Sequence, residues 1–361
     1  KRPDNIIGSV HATKDEKYVF DGDKFTKKEI TYVPGLFKIF DEILVNAVDH
    51  IARSKKAKLP VKFVKITINK KTAEISVEND GYGIPIHKVE YKLSGEPTQS
   101  LYRPEVIFSK PFSSTNYGEE DIKVIGGKNG VGAKATVLFS SLFTVDTFDH
   151  TRDLEYVQTF KNGIMDEDKD IGKPKITKKT GDTGRTKITF IPDFTAFHLK
   201  GSTLKEGDYE MMIKRVYDIA GLLTKEKVKV YLNGKVIPIK SFSDYCALYL
   251  NESQPIYYYS LPRWEIAFTS SPEDSFEQIS FVNNVETSQG GTHVKYVLDQ
   301  VIKYVGTIID KKLKKKGRRG DIIKSKLIAF VNATIENPEF NSQTKVLLSL
   351  PPNKFGSKME I

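Results

Sequence analysis

Apolar residues recur at helical spacing from Leu36 through Ile39, Phe40, Ile43, Leu44 and Ala47 to Ile51, one face of a helix that Pro34-Gly35 introduces. Glu42, Asn46 and Asp49 fall on its opposite, polar face. The period then changes. Val61 to Ile68 and Ala73 to Glu78 read as strands joined by the turn Asn69-Lys70-Lys71-Thr72, which predicts a hairpin. Strand-like runs follow at 143–148, 155–160 and 185–191, with a charged excursion at 161–184. A helix is predicted over 208–223, then a second hairpin around Asn233-Gly234, a pair that tight two-residue turns favour. Residues 88–103 read as an inserted polar loop, and the first thirty residues as an arm, strap or edge strand.

A second half begins near Ser241. Strands are predicted at 257–259, 264–269 and 278–283, and Gly290-Gly291-Thr292 opens a long helix carrying Val294, Val297, Leu298, Val301, Ile302, Val305, Ile308 and Ile309. That helix runs into Lys311, Lys312, Lys314, Lys315, Lys316, Arg318 and Arg319, and a strand is expected over 327–335. Seven cations in nine residues exceed what a helix C-terminus needs to satisfy its dipole, and they suit a phosphate backbone as well as they suit solvent. No aromatic residue interleaves them, so base stacking is not indicated.

Composition narrows the classes. The 361 residues allow two domains, and the single cysteine, Cys246, excludes an internal disulfide or a cysteine zinc site. The six histidines show no ligand spacing, and no apolar run is long enough to cross a bilayer. The net charge of +10 favours a polyanionic partner. The chain starts at Lys1 and shows no signal peptide, which points to a piece of a longer protein.

The candidate chemistry centres on Gly126-Gly127-Lys128-Asn129-Gly130-Val131-Gly132-Ala133-Lys134. Glycine permits positive φ and close approach of a ligand to the backbone, and a helix predicted from Ala135 would present unpaired N–H groups to phosphate. The alternative is a plain surface loop. It is not a Walker loop, because Ala135 follows Lys134 where Ser or Thr is required. Glu42 and Asn46, one helical turn apart, suit a carboxylate that deprotonates water and an amide oxygen for Mg²⁺, though taken alone the pair is more simply a solvated helix face. In Asn79-Asp80-Gly81-Tyr82-Gly83, Asp80 suits an exocyclic amine and Gly83 a flat ring, unless the segment is only a turn. Ser114, Thr115 and Asn116 add polar groups before the glycine loop, and the polar loop 337–345 ends in a lysine able to reach an anion.

In order and spacing these segments resemble the ATPase region of eukaryotic-type DNA topoisomerase II. The resemblance rests on Arg2-Pro3-Asp4, Ile7-Gly8-Ser9, the run Tyr32 to Ala47, Ser114 to Tyr117, the glycine loop, Phe281-Val282-Asn283, Gly290 to Val294 and Gln343-Thr344-Lys345. It implies an α+β architecture. A two-layer Bergerat (GHKL) ATPase sandwich over 1–240 would be followed by a ribosomal-S5-like α/β transducer domain over 241–361. It further implies ATP and Mg²⁺ as cofactors, with Glu42 as general base, Asn46 as metal ligand and Asp80 with Gly83 as adenine contacts. Ser114, Thr115, Asn116 and Gly127, Lys128, Asn129, Gly130, Val131, Gly132, Ala133 and Lys134 would form the triphosphate lid. Thr186 would supply the last ATP-site motif, and Gln343 and Lys345 would reach the γ-phosphate.

The partners implied are double-stranded DNA, held by the 311–319 cations, a second copy in an ATP-dependent homodimer, and the cleavage core of the same polypeptide. No membrane is involved. The setting implied is the nucleus or a viral replication compartment. Asp49-His50 replaces the family's usual Asp-Asn, Val131 stands where many relatives have Tyr, and the 88–103 loop is longer. An ATP-driven chaperone or repair clamp on the same fold, or a catalytically dead DNA-binding module, are the rival readings.

Overall fold

The structure is a computed structural model. It describes residues 6–360 apart from 94, 96, 111–131, 252, 253, 318 and 343. The chain divides into two compact units that meet in sequence between Ile239 and Lys240.

The first unit opens with a hairpin, β1 (Thr13–Phe20) and β2 (Phe25–Tyr32), paired in register from Thr13 with Tyr32 to Phe20 with Phe25. The N-terminal arm is therefore regular structure. Helix α1 (Pro34–Lys56) starts with proline in its first turn, where the missing N–H costs nothing, and ends on Arg53, Lys55 and Lys56, which complement the helix dipole. Then come β3 (Phe63–Ile68) and β4 (Ile75–Gly81), the predicted hairpin, followed by β5 (Lys88–Tyr91), β6 (Gln99–Tyr102) and α2 (Arg103–Ser109). The segment expected as a loop thus contains a small two-stranded ribbon. Helix α3 (Gly132–Leu138) precedes β7 (Ser140–Asp149), β8 (Leu154–Lys161), α4 (Glu167–Asp170), β9 (Lys175–Lys178) and β10 (Gly184–Pro192). The expected excursion at 161–184 is anchored by Asp170, which accepts from Asn162 Nδ2 at 2.9 Å and from the Asp166 amide at 3.0 Å. Beyond it β9 extends the sheet. Helix α5 (Glu206–Leu222) leads to β11 (Lys229–Leu232) and β12 (Lys235–Val236). Asn233 and Gly234 between them both hold positive φ, as a tight hairpin turn requires.

These strands make one eight-stranded sheet in the order β12-β11-β3-β4-β10-β7-β8-β9, antiparallel except where β11 meets β3. Its two faces differ. Val64, Ile66, Val77, Ile188, Val145 and Phe143 are buried on one face, while Lys65, Glu78, Lys187 and Asp146 line up on the other. A sheet with one apolar face needs one covering layer. That layer includes α1, which packs on β4, with α3 and α5 against α1.

The second unit contains α6 (Phe242–Ala247), begun by a capping box between Ser241 and Asp244. Its five-stranded sheet has the order β13 (Tyr257–Leu261), β14 (Trp264–Ser270), β17 (Leu327–Ala333), β15 (Glu277–Val282) and β16 (Val285–Glu286). Helices α7 (Thr292–Leu313) and α8 (Gly320–Ser325) connect β16 to β17, and β15 and β17 run parallel. Val294, Val297, Leu298 and Val301 of α7 join Trp264, Val331 and Leu348 in one core. Gly291 before α7 has φ +138°, and a methyl group there would lie 2.4 Å from the Leu348 carbonyl, so only glycine fits.

Candidate nucleotide site

Glu42 lies on α1 and is only 8% exposed, although the sequence pattern assigns it to a polar face. Such a carboxylate needs a counter-charge. Lys38, one turn earlier, supplies it: its ammonium lies 2.7 Å from Glu42 Oε1. Against the other oxygen comes the first residue of α3. A methyl group on Gly132 would stand 1.8 Å from Glu42 Oε2, so a side chain at this last glycine of the predicted loop would have to displace the carboxylate or the helix. Thr136, fully buried, donates its hydroxyl to the Ile39 carbonyl at 2.9 Å and ties α3 to α1.

One turn beyond Glu42, Asn46 is half-buried and its side chain makes no hydrogen bond among the described residues. Its amide is available to a ligand. Further on, Ser54 Oγ and His50 Nε2 are 2.8 Å apart, and both meet the Tyr82 amide, at 2.9 Å and 3.3 Å. Burial, with Arg53 adding to it, pushes the His50 pKa down to about 4, so the ring is a neutral acceptor at Nε2. On the other side, Ile84 donates its amide to Thr147 Oγ1 at 3.0 Å. Gly83, at φ +76°, approaches so closely that a methyl there would fall 2.2 Å from the Phe148 carbonyl. The turn after β4 is therefore clamped between α1 and β7.

Strand register sorts the residues of that turn. Val64, Asn79, Thr186 and Thr147 are cross-strand partners in one row, on the apolar face that α1 covers. Thr186 and Thr147 hydroxyls are 3.2 Å apart. Asn79 donates its Nδ2 to the Asp80 carbonyl at 2.8 Å, which leaves Oδ1 as an acceptor with no partner among the described residues. Asp80 is opposite Arg185 and alternates to the other face. Its Oδ1 already accepts from the amides of Lys62 at 2.8 Å and Phe63 at 3.1 Å. The sequence reading assigned the amine contact to Asp80; the geometry presents Asn79 alongside Thr186 instead.

Ala133 and Lys134 continue α3, half-buried, and burial lowers the Lys134 ammonium to about 8. Ser114, Thr115, Asn116, Gly127, Lys128, Asn129, Gly130 and Val131 lie outside the described residues.

Residues 31–194, which contain this whole arrangement, match the family profile described as histidine kinase-, DNA gyrase B- and HSP90-like ATPase, and residues 225–358 match that of DNA gyrase B. The chain is 41% identical to DNA topoisomerase 2 of Arabidopsis thaliana over 100% of its own length, and 43% identical to DNA topoisomerase 2 top-2 of Caenorhabditis elegans over 99%. The solved ATPase region of Saccharomyces cerevisiae topoisomerase II superposes with a TM-score of 0.88 at 40% identity, covering 100% of this chain and 90% of that one. The chain belongs to the type II DNA topoisomerase family.

It spans 24% and 23% of the two curated relatives. The ATPase and transducer domains of DNA topoisomerase II from Balamuthia mandrillaris superpose with a TM-score of 0.86 at 37% identity, covering 100% of this chain and 88% of that one. The α+β reading and the GHKL-plus-transducer architecture of a type II topoisomerase therefore hold.

In the second unit of this topoisomerase region, Lys345 is not on an open polar loop. It is 7% exposed and sits at φ +62°, in a segment whose backbone Gln289, Gly290 and Ser342 hold. Gln343 lies outside the described residues. Lys311 and Lys312 end α7, and with Lys314, Lys315 and Lys316 they are exposed. Arg319 is instead engaged by Asp310, and Arg318 is outside the described residues. Two site residues escape motif reading, Lys38 and Asn79. Each is findable by period: Lys38 stands four residues before Glu42 on a helix, and Asn79 stands two after Val77 on a strand.

Proposed function

We propose that this chain is the ATP-binding and ATP-hydrolysing gate of a type II topoisomerase. The observation that carries the reading is the buried Glu42 carboxylate, held by Lys38 and faced by Gly132, one turn from an Asn46 amide that has no partner among the described residues. In the reaction, Glu42 takes a proton from water as that water forms its bond to the γ-phosphorus. The bond to the β-phosphate oxygen breaks and ADP leaves. Phosphoryl transfer asks the protein mainly to position groups and to neutralise charge. The glycine segment to Lys134, with Ser114, Thr115 and Asn116, surrounds the triphosphate. Asn79 Oδ1 accepts from the exocyclic amine beside Thr186, with Gly83 near the ring, and Asp80 anchors the strand beneath.

The donor set fits Mg²⁺. Among the described residues no group of three His, Cys, Asp or Glu side chains is placed to hold a metal. One amide oxygen from Asn46, supplemented by phosphate and water, is the kind of sparse protein contribution Mg²⁺ accepts. Bound there, it would neutralise phosphate charge.

Gln343 and Lys345 sense the γ-phosphate and couple its loss to the second unit. Two copies join when ATP binds and close around a DNA duplex whose phosphates the Lys311–Lys316 segment contacts. The rest of the polypeptide cleaves and reseals the other duplex. The match of 225–358 to DNA gyrase B supports this over a chaperone or repair clamp on the same ATPase fold. The eukaryotic relatives support a nuclear setting, and no helix among the described residues is long and apolar enough to cross a membrane.

Substituting Lys345→Ala tests the coupling. Turnover is expected to fall by about tenfold or more, because a charge acting on the transferring phosphoryl is lost. ADP affinity, measured by calorimetry, should be unchanged. Equal loss of ADP binding would mean that Lys345 only supports the fold.

A further inference from the structure

The N-terminal hairpin packs on α5 through a small apolar cluster of Val19, Ile30 and Met211. Next to that contact is a cavity of about 510 Å³, lined by part of β2, the first turn of α5, Ala12, Val33 and Leu199. Sites for small ligands have volumes of this order. The wall is mostly apolar, and Ile30 and Val33 in it are 5% and 1% exposed.

Asp208 interrupts that wall. It stands in the first turn of α5, is 1% exposed, and accepts the Val33 amide at Oδ1 over 2.7 Å, at the residue that begins α1. Among the described residues no cation stands within ion-pair distance of this carboxylate. The carboxylates around it are different. Lys28 pairs with Glu210, Lys70 with Glu206, and Lys14 with Glu29 at 2.6 Å. Lys205 lines the cavity too, but acts on Asp208 only through its field.

Burial pushes the Asp208 carboxyl up to about 6, with the Val33 amide and then Lys205 working against the rise. The group is still ionised near neutral pH, and a buried charge without a counter-charge is costly. The bland reading is a tie between α5 and α1, made by an acid that also complements the helix dipole. That reading explains the hydrogen bond. An amide oxygen would make the same bond without burying a charge, and the open space beside it would remain unexplained.

We propose that this cavity is a binding site for a small organic amine, whose ammonium pairs with Asp208 while its apolar body fills the space beneath the hairpin. An ammonium meeting a desolvated carboxylate forms a charge-assisted hydrogen bond. Glu29, Glu206, Asp208 and Glu210 against Lys28 and Lys205 disfavour an anion there. The apolar wall disfavours a hydrated inorganic cation. These residues are distinct from those assigned to the nucleotide, although Val33 begins the helix that carries Glu42 and Asn46.

The test titrates the methyl-labelled chain with phenethylamine, a primary ammonium on an apolar body, and with phenethyl alcohol, its uncharged counterpart. NMR follows the Ala12, Ile30, Val33 and Leu199 methyls. The amine should shift them saturably and bind about tenfold or more tighter than the alcohol, the worth of one hydrogen bond between charged groups. Asp208→Asn keeps an oxygen for the Val33 amide and removes the charge, so it should fold and lose that preference. Lys205→Met should bind the amine at least as well as the native chain, because a competing cation is gone.

Equal binding of amine and alcohol, or no response of these methyls to the amine, overturns the proposal. So does an amine preference that survives in Asp208→Asn. Binding that appears only in Lys205→Met would mean that Lys205 already serves the carboxylate, and overturns it as well. If Asp208→Asn does not fold, the comparison of amine with alcohol on the native chain decides alone.

Discussion

Neighbouring residues with similar side chains can have opposite duties, and Asn79 and Asp80 show why. A motif reading prefers Asp80, because a carboxylate is the stronger acceptor. The strand period of two favours the neighbour proposed above: Asn79 shares a row with Val64 and Thr186, while Asp80 turns away and accepts from Lys62 and Phe63. The expectation is a separation of phenotypes. Asn79→Ala should weaken ATP binding by about tenfold, one hydrogen bond's worth, with little change in Tm. Asp80→Ala should lower stability by about 2 kcal/mol, because two amides lose their acceptor. Calorimetric titration and thermal melts of the two variants check this, and a reversed pattern would restore the adenine contact to Asp80. The Glu42–Asn46 pair was legible as a spacing. Its burial was not, since Lys38 neutralises the carboxylate and lets it lie inside.

At the scale of elements, the long periodic pieces were legible and the short irregular ones were not. Helix α1 and the hairpins at 63–81 and 229–236 form where apolar period and turn residues agree. The ribbon of β5 and β6 and the strand β9 carry mostly exposed and half-buried positions, so they leave little hydrophobic pattern to read. Lys345 misled for the opposite reason: its neighbours look polar, but backbone hydrogen bonds to 289–290 draw the segment in. Helix α3 is the element whose placement matters most to the site. It meets Glu42 at Gly132, with no room for a side chain. Gly132→Ala is expected to displace either the carboxylate or the helix and to cut kcat by about tenfold or more, as displaced catalytic groups do. Turnover and circular dichroism on the same preparation test this. Native turnover would show that the helix shifts freely.

For the whole molecule, charge and catalysis are separable predictions. The five exposed lysines 311, 312, 314, 315 and 316 carry the expected duplex contact, and each phosphate contact contributes about 0.9 to the slope of log K against log salt. Replacing all five with serine should flatten that slope by up to about 4.5 and leave ATP turnover in the absence of DNA unchanged. An unchanged slope would place the DNA contact elsewhere. The central claim is that this chain hydrolyses ATP with Glu42 as its base. The most direct test is steady-state hydrolysis by the native chain and by Glu42→Gln, with nucleotide binding measured in both. A fall of about a hundredfold or more in kcat with binding retained is the result expected of a lost general base. Equal turnover in the two chains would contradict the account, because the water would then be activated without the one buried carboxylate that Lys38 and Gly132 hold in place.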